Sequence, residues 1–394
     1  MSNTNSSNNS TIFTRSSNLE GLTFDDVLLL PGFTDFFRDT ASTATTLTNN
    51  IKLGIPVISS PMDTVTESVM AISMANNGGI GVIHRSMSIE DQVNEVLAVK
   101  SFGDIAEGAS VDANGKLLVA TAVGASPDFE DRIKALVQAG TDLFVLDTAQ
   151  GFAQYIIDYI KVIKNLTKIP VLGGNIVTFE GAMALMEAGA DMLRVGMGPG
   201  SICTTRIVTG VGVPQLTAIS EVKRAVVEFE SRTGKNIKVI ADGGIKQIGD
   251  IAKALAFGAD AVMLGSLLAG FYQCPGETIT FDNQQFKLYR GMGSIGAMQK
   301  GGAARYGQTG ASAKKLVAEG VEGMVKHKGD VEDFLFQIKG GLKSALYNIG
   351  GKDIQEFQSK VKYIKITTAT FRESMPHSIN IVSGGSSFLG RVED

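Results

Sequence analysis

The segment ALVQAGTDLFVLD (residues 135–147) joins the end of a helical pattern, a glycine and an apolar run that is typical of a buried strand. The same order recurs in LMEAGADMLRVG (185–196) and ALAFGADAVMLG (254–265). Gly140, Gly189 and Gly258 each stand where a left-handed residue would cap the helix. The chain is therefore predicted to repeat a β/α unit.

Short apolar runs of this kind predict eight parallel strands, because runs without in/out alternation suit strands that are buried on both faces. They are IPVIS (55–59), IGVIH (80–84), LLVATAV (117–123), LFVLD (143–147), IPVLG (169–173), MLRVG (192–196), KVIAD (238–242) and AVMLG (261–265). Each strand is used once and no GxGxxG follows the first. This favours a closed (β/α)8 TIM barrel over an open doubly wound sheet.

Composition and charge narrow the class of protein. With 394 residues, 44% hydrophobic and 19% charged, the chain has enough apolar residues for a packed core. The net charge of −4 provides no basic face for nucleic acid or an anionic membrane, and the most apolar stretch (255–271) is too short and polar to span a bilayer. A small-molecule partner is favoured.

The amino-terminal composition and the cysteine count indicate the domain boundary and the cellular compartment. Residues 1–18 are rich in Ser and Asn and are predicted to form a flexible tail, leaving a single catalytic domain over 19–394. Cys203 and Cys274 are the only cysteines, which indicates a reducing, cytoplasmic compartment. Three histidines without an HExxH or CxxC pattern argue against a transition-metal site.

In a barrel, chemistry lies at the carboxyl ends of the strands. We therefore expect one mouth to collect a set of strand-end residues together with the loop after Val195. The set is Ser60, Met62, Asp63, His84, Asp147, Asn175, Asp242 and Gly265. The segment from 273 to about 341 is far longer than an ordinary loop and is predicted to be a flap or lid.

The glycine-rich loop 196–215 carries the candidate nucleophile, Cys203. Its polar setting beside Arg206 favours a reactive thiolate, although most free cysteines are simply small packed side chains. ADGGI (241–245) and LGS (264–266) follow the last two strands, where many barrels bind phosphate. Tight turns are the alternative interpretation of these glycines.

Seven motifs together resemble the inosine-5′-monophosphate (IMP) dehydrogenase family. They are SSPMDTVTE (59–67), GMGPGSICTTRIV (196–208), IADGGI (240–245), YRGMGS (289–294), ARY (304–306), EGVEG (319–323) and RES (372–374). They occur in order over most of the chain. The resemblance implies oxidation of IMP to xanthosine monophosphate with NAD⁺, a step of guanine nucleotide biosynthesis.

The resemblance also implies roles for single residues. Cys203 would attack C2 of the purine, Thr205 would assist hydrolysis of the covalent thioimidate, and Arg305 with Tyr306 of the flap would activate water. Without the resemblance, Arg305 reads as a surface ion-pair partner. Implied substrate contacts are Ser60, Met62, Ser201, Asp242, Gly244, Gly265, Ser266, Tyr289, Met292, Gly293 and Glu319; Asp242, which would accept the ribose hydroxyls, could also be a turn or cap residue.

For NAD⁺ the implied contacts are Asp147, Thr148, Asn175, Arg194, Gly196 and Gly198. Here the chain departs from the family, which usually has Asp-Ser-Ala-His-Gly where residues 147–151 are Asp-Thr-Ala-Gln-Gly. His327 likewise replaces a usual tyrosine before Lys-Gly. An implied potassium site would use carbonyls of Gly198, Gly200 and Cys203, with Glu373, Ser374 and Met375 from a neighbouring subunit of a homotetramer.

Two rival functions stay open. GMP reductase shares the barrel and the cysteine, but it lacks the Arg-Tyr flap and usually has lysines where this chain has Ile207 and Val208. A catalytically silent nucleotide-binding barrel is the second rival. Residues 101–116 are all that stand where most family members insert a tandem regulatory module, so regulation through that module is expected to be absent.

Overall fold

The computed structural model describes residues 20–124, 126–299, 305–306, 308 and 315–379. The predicted tail, residues 1–18, lies outside these ranges. The described strands are β1 (Val27–Leu30), β2 (Thr45–Thr48), β3 (Ile51–Leu53), β4 (Val57–Ser59), β5 (Ile80–Ile83), β6 (Val119–Val123), β7 (Leu143–Leu146), β8 (Val171–Ile176), β9 (Met192–Val195), β10 (Lys238–Asp242), β11 (Ala261–Leu264), β12 (Thr278–Phe281), β13 (Gln284–Arg290), β14 (Glu322–Lys326) and β15 (Lys362–Lys365).

The described helices surround these strands. They are α1 (Ser68–Asn76), α2 (Ile89–Lys100), α3 (Phe129–Ala139), α4 (Gln154–Leu166), α5 (Phe179–Glu187), α6 (Thr205–Thr209), α7 (Gln215–Thr233), α8 (Ile248–Ala256), α9 (Ile295–Gln299), α10 (Val331–Ile349), α11 (Ile354–Lys360) and α12 (Thr368–Glu373). Short 3-10 helices cover Phe24–Asp26 and Arg38–Thr40. None of the helices in this part of the chain has the length and apolar character needed to cross a membrane.

The strands β4 to β11 form a closed barrel in chain order, with β11 returning to pair with β4. All the neighbouring pairs are parallel, so every strand points its carboxyl end toward the same mouth. The predicted (β/α)8 barrel is confirmed, and each of the eight apolar runs overlaps one barrel strand, although β8 extends three residues beyond the predicted run.

Burial on both faces explains why the strands lack alternation. In β7, Leu143 and Val145 belong to the apolar cluster inside the barrel, whereas Phe144 and Leu146 pack between the sheet and the helices. The hairpin β2–β3 adds further side chains to the interior cluster: Leu47, Ile51 and Leu53. Thr45 of this hairpin donates to Asp260 O just before β11, so the hairpin lies at the amino-terminal end of the barrel.

An aspartate after each helix-capping glycine joins two neighbouring strands. Asp142 accepts the Val119 N–H at 2.8 Å through its carboxylate, and its own N–H donates to Val119 O at 2.9 Å. The same two bonds link Asp191 to Val171 and Asp260 to Val239. The repeated Gly-x-Asp therefore fixes the register of three strand pairs at their starting ends. We call these residues the register aspartates: Asp142, Asp191 and Asp260.

Lys100 connects one register aspartate to the short connection 101–116. Its ammonium lies 2.7 Å from Asp142 and 3.0 Å from Asp112, and the side chain is 7% exposed. Asp112 also accepts the N–H groups of Asn114 and Lys116, and a β-bridge joins Val111 to Leu117. The last part of the connection, residues 111–117, is thus a small closed turn that Lys100 ties to the barrel.

The segment predicted as a flap contains ordered structure of its own. The antiparallel sheet β12–β13–β14 projects from the barrel after β11, and α9 follows β13. The helix α10 begins at Val331 and packs on α8 and α1 as the eighth barrel helix. The predicted end of the segment, about residue 341, therefore falls inside this helix. The composition of the chain does not change where the flap ends and the helix begins, so the sequence gives no sign of the boundary.

We predict that Asp142→Ala lowers the free energy of unfolding by about 2–3 kcal/mol, because it leaves the Val119 N–H unpaired and Lys100 with one buried partner fewer. Thermal unfolding followed by circular dichroism measures the loss. The control is Asp131→Ala, at an aspartate whose side chain is 81% exposed and which should change stability by less than about 0.5 kcal/mol. Equal midpoints for the two variants would contradict the role of the register aspartates.

Candidate active site

A cleft of about 940 Å³, counting the open space at its entrance, lies at the carboxyl mouth of the barrel. Most of the predicted site residues line it. They are Cys203, Thr205, Arg305, Tyr306, Ser60, Met62, Ser201, Asp242, Gly244, Gly265, Ser266, Tyr289, Met292, Gly293, Glu319, Thr148, Asn175, Arg194, Gly196, Gly198 and Gly200. The fold thus brings together residues from β4, β8, β9, β10, β11 and the segment after β13.

Cys203 lies in the turn before α6, with its Sγ 3.2 Å from Thr205 Oγ1. Its side chain is half-buried, and it lines the cleft. Cys274 differs in each respect: it is buried, its thiol donates to Leu268 O at 3.0 Å, and burial raises its pKa. Of the two thiols, Cys203 is the one that a ligand in the cleft can reach.

The backbone around Cys203 is held by the segment that precedes β14. Thr204 N–H donates to Glu319 O at 3.0 Å, and Val321 N–H donates to Ile202 O at 3.0 Å, forming a bridge between Cys203 and Gly320. These bonds fix the cysteine turn against the far side of the cleft.

Arg206 connects the two ends of the glycine-rich loop. It donates from Nε to Met197 O at 3.0 Å and from Nη2 to Val213 O. Its stem passes where Cβ atoms on Gly198 and Gly212 would lie, 2.6 and 2.8 Å from Arg206 Cγ. Burial lowers the pKa of Arg206, while the nearby Cys203 thiolate opposes that shift. The direct hydrogen bonds of this arginine are therefore to the loop, and it acts on Cys203 through charge alone.

Asp242 ends β10 beside a buried arginine. Its Oδ2 accepts Arg194 Nε at 2.8 Å and Asn175 Nδ2 at 2.8 Å. Asn175 also donates to Gly196 O, yet its Oδ1 has no hydrogen-bond partner among the described residues, although the side chain is only 6% exposed. An unpaired buried amide oxygen that lines a cleft is an acceptor available to a ligand.

The opposite end of the cleft is built for an anion. Gly243 and Gly244 adopt φ of 90° and 80°, a conformation that favours glycine and that exposes successive backbone N–H groups. Tyr289 faces Ser201 and Ser266 there, and its hydroxyl is 3.3 Å from where a Cβ on Gly265 would lie. Burial raises the pKa of Tyr289 to about 12, so the hydroxyl stays protonated as a donor.

Asp147, just after β7, is 2% exposed and receives arginines from three directions. Arg305 Nη1 bonds to its Oδ1, Arg194 Nη1 lies 3.4 Å from the same oxygen, and Arg85 Nε lies 3.5 Å from Oδ2. Burial acts to raise the pKa of Asp147, but the charges of Arg305, Arg85 and Arg194 outweigh it and hold the pKa below its usual range. Arg85 directly follows the predicted strand 80–84 but is not among the predicted site residues.

Tyr306 packs over a glycine at the entrance. A Cβ on Gly293 would lie 2.6 Å from Tyr306 Cζ, so a side chain there would displace the ring. Burial raises the pKa of Tyr306, and the neighbouring Arg305 opposes that shift. Thr148 Oγ1 donates to Gly174 O at 2.7 Å, which leaves this hydroxyl bonded within the chain.

Several predicted mouth residues lie outside the cleft lining. His84 Nε2 lies 3.0 Å from Glu67, and Asp63 pairs with Arg290 of β13. Glu373, Ser374 and Met375 lie at the end of α12, which packs on the first 3-10 helix.

Comparison with known proteins identifies the family. A model of the IMP dehydrogenase / GMP reductase domain matches residues 21–377. Inosine-5′-monophosphate dehydrogenases of Cryptosporidium parvum and Borreliella burgdorferi are each 44% identical, over 92% and 91% of this chain and 96% and 97% of theirs. The Aquifex aeolicus enzyme is 38% identical over 92% of this chain and 96% of its own, in an alignment of 479 positions that exceeds the 394 residues here, so that relative contains an additional segment. The chain belongs to the IMP dehydrogenase / GMP reductase family.

Proposed function

We propose that this protein oxidises IMP to xanthosine monophosphate with NAD⁺, in guanine nucleotide biosynthesis. The observation that carries the proposal is the meeting, in one cleft, of Cys203 beside Thr205 with Arg305 and Tyr306. The relatives that are 36–44% identical are named as IMP dehydrogenases, which agrees with it. Arg305 and Tyr306 in the cleft favour the dehydrogenase over GMP reductase.

The reaction proceeds in two steps. The Cys203 thiolate adds to C2 of the purine, and C2 becomes a tetrahedral carbon that can release its hydrogen with the bonding electron pair. NAD⁺, when bound, accepts that hydride. Water then adds to C2 of the thioimidate, the C2–S bond breaks, one proton is released, and xanthosine monophosphate leaves with the Cys203 thiolate restored. Thr205 Oγ1, 3.2 Å from the sulfur, can accept a hydrogen bond from the attacking water at this second step.

The substrate is held at both ends of the cleft. Gly244, Gly265, Ser266 and Tyr289 bind the phosphate, since backbone N–H groups and a neutral phenol are donors to an anion. Asp242 binds the ribose hydroxyls, because a carboxylate with two donors on Oδ2 retains acceptor capacity. The remaining substrate contacts are Ser60, Met62, Ser201, Met292, Gly293 and Glu319, around the purine and the sugar.

The residues on the other side of Cys203 fit a dinucleotide. Asp147 supplies a carboxylate for ribose hydroxyls, and the unpaired Asn175 Oδ1 supplies an acceptor for a hydroxyl or a carboxamide. Arg194 orients both Asp147 and Asp242, and Gly196 and Gly198 leave room beside Thr148. Gln150, the departure from the family pattern, accepts the Phe152 N–H at 3.4 Å and makes no bond to Asp147.

Arg305 and a bound ribose exclude each other. Arg305 bonds to Asp147 in this arrangement, so it must leave before the carboxylate can accept ribose hydroxyls. Burial acts to lower the pKa of Arg305, but Asp147 outweighs it and the pKa is raised, so Arg305 is a cation in this position. Activation of water therefore requires Arg305 to part from Asp147 or to share its proton with the adjacent Tyr306.

The potassium site and the assembly complete the proposal. Neutral carbonyls of Gly198, Gly200 and Cys203 lie in one loop, in which Gly198 adopts a φ of 76° and the Gly200 carbonyl accepts the Cys203 N–H. Such oxygens suit a large monovalent cation. Glu373, Ser374 and Met375 would add ligands across the subunit contact of a homotetramer in the cytoplasm.

One assay tests the function. Protein supplied with IMP, NAD⁺ and K⁺ should produce NADH and xanthosine monophosphate. Consumption of NADPH with GMP and release of ammonia would instead identify a GMP reductase. Binding of IMP with neither reaction would identify a silent nucleotide-binding barrel.

We predict that Cys203→Ala abolishes formation of NADH while IMP binds within about threefold of its wild-type affinity, because the sulfur makes the bond but most binding contacts lie elsewhere. Absorbance and calorimetry measure the two quantities. Cys274→Ala is the control and should retain turnover, since that thiol is buried, donates to Leu268 O and does not line the cleft. Turnover by the Cys203 variant would reject the nucleophile.

We predict that Arg305→Ala preserves a burst of NADH and slows the steady state by about 10²- to 10⁴-fold, because hydride transfer does not need the water-activating group. Rapid mixing resolves the two phases. An equal fall in burst and steady rates would show that Arg305 acts before hydrolysis.

A further inference from the structure

Arg85 is a buried arginine at the barrel mouth that has no role in the reaction steps proposed above. It follows β5, its side chain is 11% exposed, and its ion-pair partner is Asp147 at 3.5 Å. Its Nε is buried and makes no hydrogen bond to the described residues. Burial lowers the pKa of Arg85, and Asp147 opposes that shift. Burying the Arg85 guanidinium costs solvation free energy, and the ion pair with Asp147 offsets that cost.

The neighbouring strand leaves room for this guanidinium. Gly124, after β6, would place a Cβ 2.8 Å from Arg85 Nε and 2.9 Å from Cζ. The missing side chain therefore lets Arg85 lie flat beside Asp147.

The charges around Asp147 change when the flap moves. With Arg305 in place, three arginines form ion pairs with Asp147, and one of them, Arg194, also pairs with Asp242. Suppose that Arg305 has left and that Arg85 is absent. Arg194 would then be the one arginine near both carboxylates, 3.4 Å from Asp147 and 2.8 Å from Asp242. The buried carboxylate of Asp147 would then share its one cation with Asp242, which weakens the charge that opposes its burial.

We propose that Arg85 is a positioning residue that keeps Asp147 ionised after Arg305 has left, so that the carboxylate can accept the ribose hydroxyls of the dinucleotide. The inference rests on the proposed function. Arg85 then acts in the open-flap state and is redundant in the closed one, where Arg305 supplies the same charge.

The groups that face Asp147 set the sign of the pH effect. They are Arg85 after β5, Arg194 on β9, Asp242 on β10, and Arg305 on the flap with Tyr306 and Cys203 near it, while Arg132 on α3 faces Arg85. Without Arg85 the pKa of Asp147 rises when Arg305 is away. Below that raised pKa the carboxyl is protonated and a poorer acceptor, so the KM for NAD⁺ falls as pH rises through it.

The test compares Arg85→Met with wild type in the NADH assay from about pH 6 to 9. We expect the KM for NAD⁺ to rise at least about tenfold at neutral pH and to approach the wild-type value at high pH, with the Kd of IMP changed less than about twofold. Arg85→Lys should restore most of the affinity, because it returns the charge. Arg232→Met, at a surface arginine, is the matched control and should change neither constant.

An unchanged KM for NAD⁺, or one raised by the same factor at every pH, would overturn the inference. If Arg85→Met fails to fold, Arg85→Gln tests the same idea by removing the charge while a polar side chain is kept beside Asp147. It should raise the KM for NAD⁺ with the same pH trend, and an unchanged KM would again overturn it. Absence of NADH from wild type would instead reject the proposed function.

Discussion

The alignment of eight strand ends at one mouth is the constraint on which the site depends. A parallel barrel places its chemistry where the strands end, so an error of one residue in register would move a functional side chain to the opposite face. The register aspartates restrain this at the starting ends, where each accepts one N–H of the neighbouring strand and donates its own N–H to the same residue. The far ends of β7, β9 and β10 then bring Asp147, Arg194 and Asp242 within contact distance.

The sequence predicts the fold well because burial on both faces leaves a local signal. The apolar runs, the capping glycines and the aspartates are all visible in short windows, and they locate the eight barrel strands. Strand ends and glycine loops indicate part of the cleft for the same reason, whereas Thr205, Arg305 and Tyr306 are indicated only by the resemblance to the family. A sequence pattern does not predict which charged groups meet in the fold. Arg85 and Arg305 are 220 residues apart in the chain, yet both pair with the carboxylate of Asp147.

Position after a strand end is also an imperfect guide. His84 satisfies that rule, but its ring pairs with Glu67, whereas the next residue, Arg85, faces the carboxylate of Asp147. The bend of the chain at the end of β5 decides between them. A pattern of apolar residues does not encode that bend. The beginning of α10 inside the predicted flap was missed for a similar reason, since both segments contain many glycine and polar residues.

The connection 101–116 has a consequence for how the barrel could be extended. Its last part, residues 111–117, is closed into a turn by the bridge between Val111 and Leu117, and the ion pair of Asp112 with Lys100 holds this turn to the end of α2. Since the entropy of closing a loop grows only slowly with its length, residues added at the tip would leave the strands on either side unstrained. Gain or loss of an accessory module at this turn is therefore compatible with an unchanged barrel and an unchanged mouth at its carboxyl end.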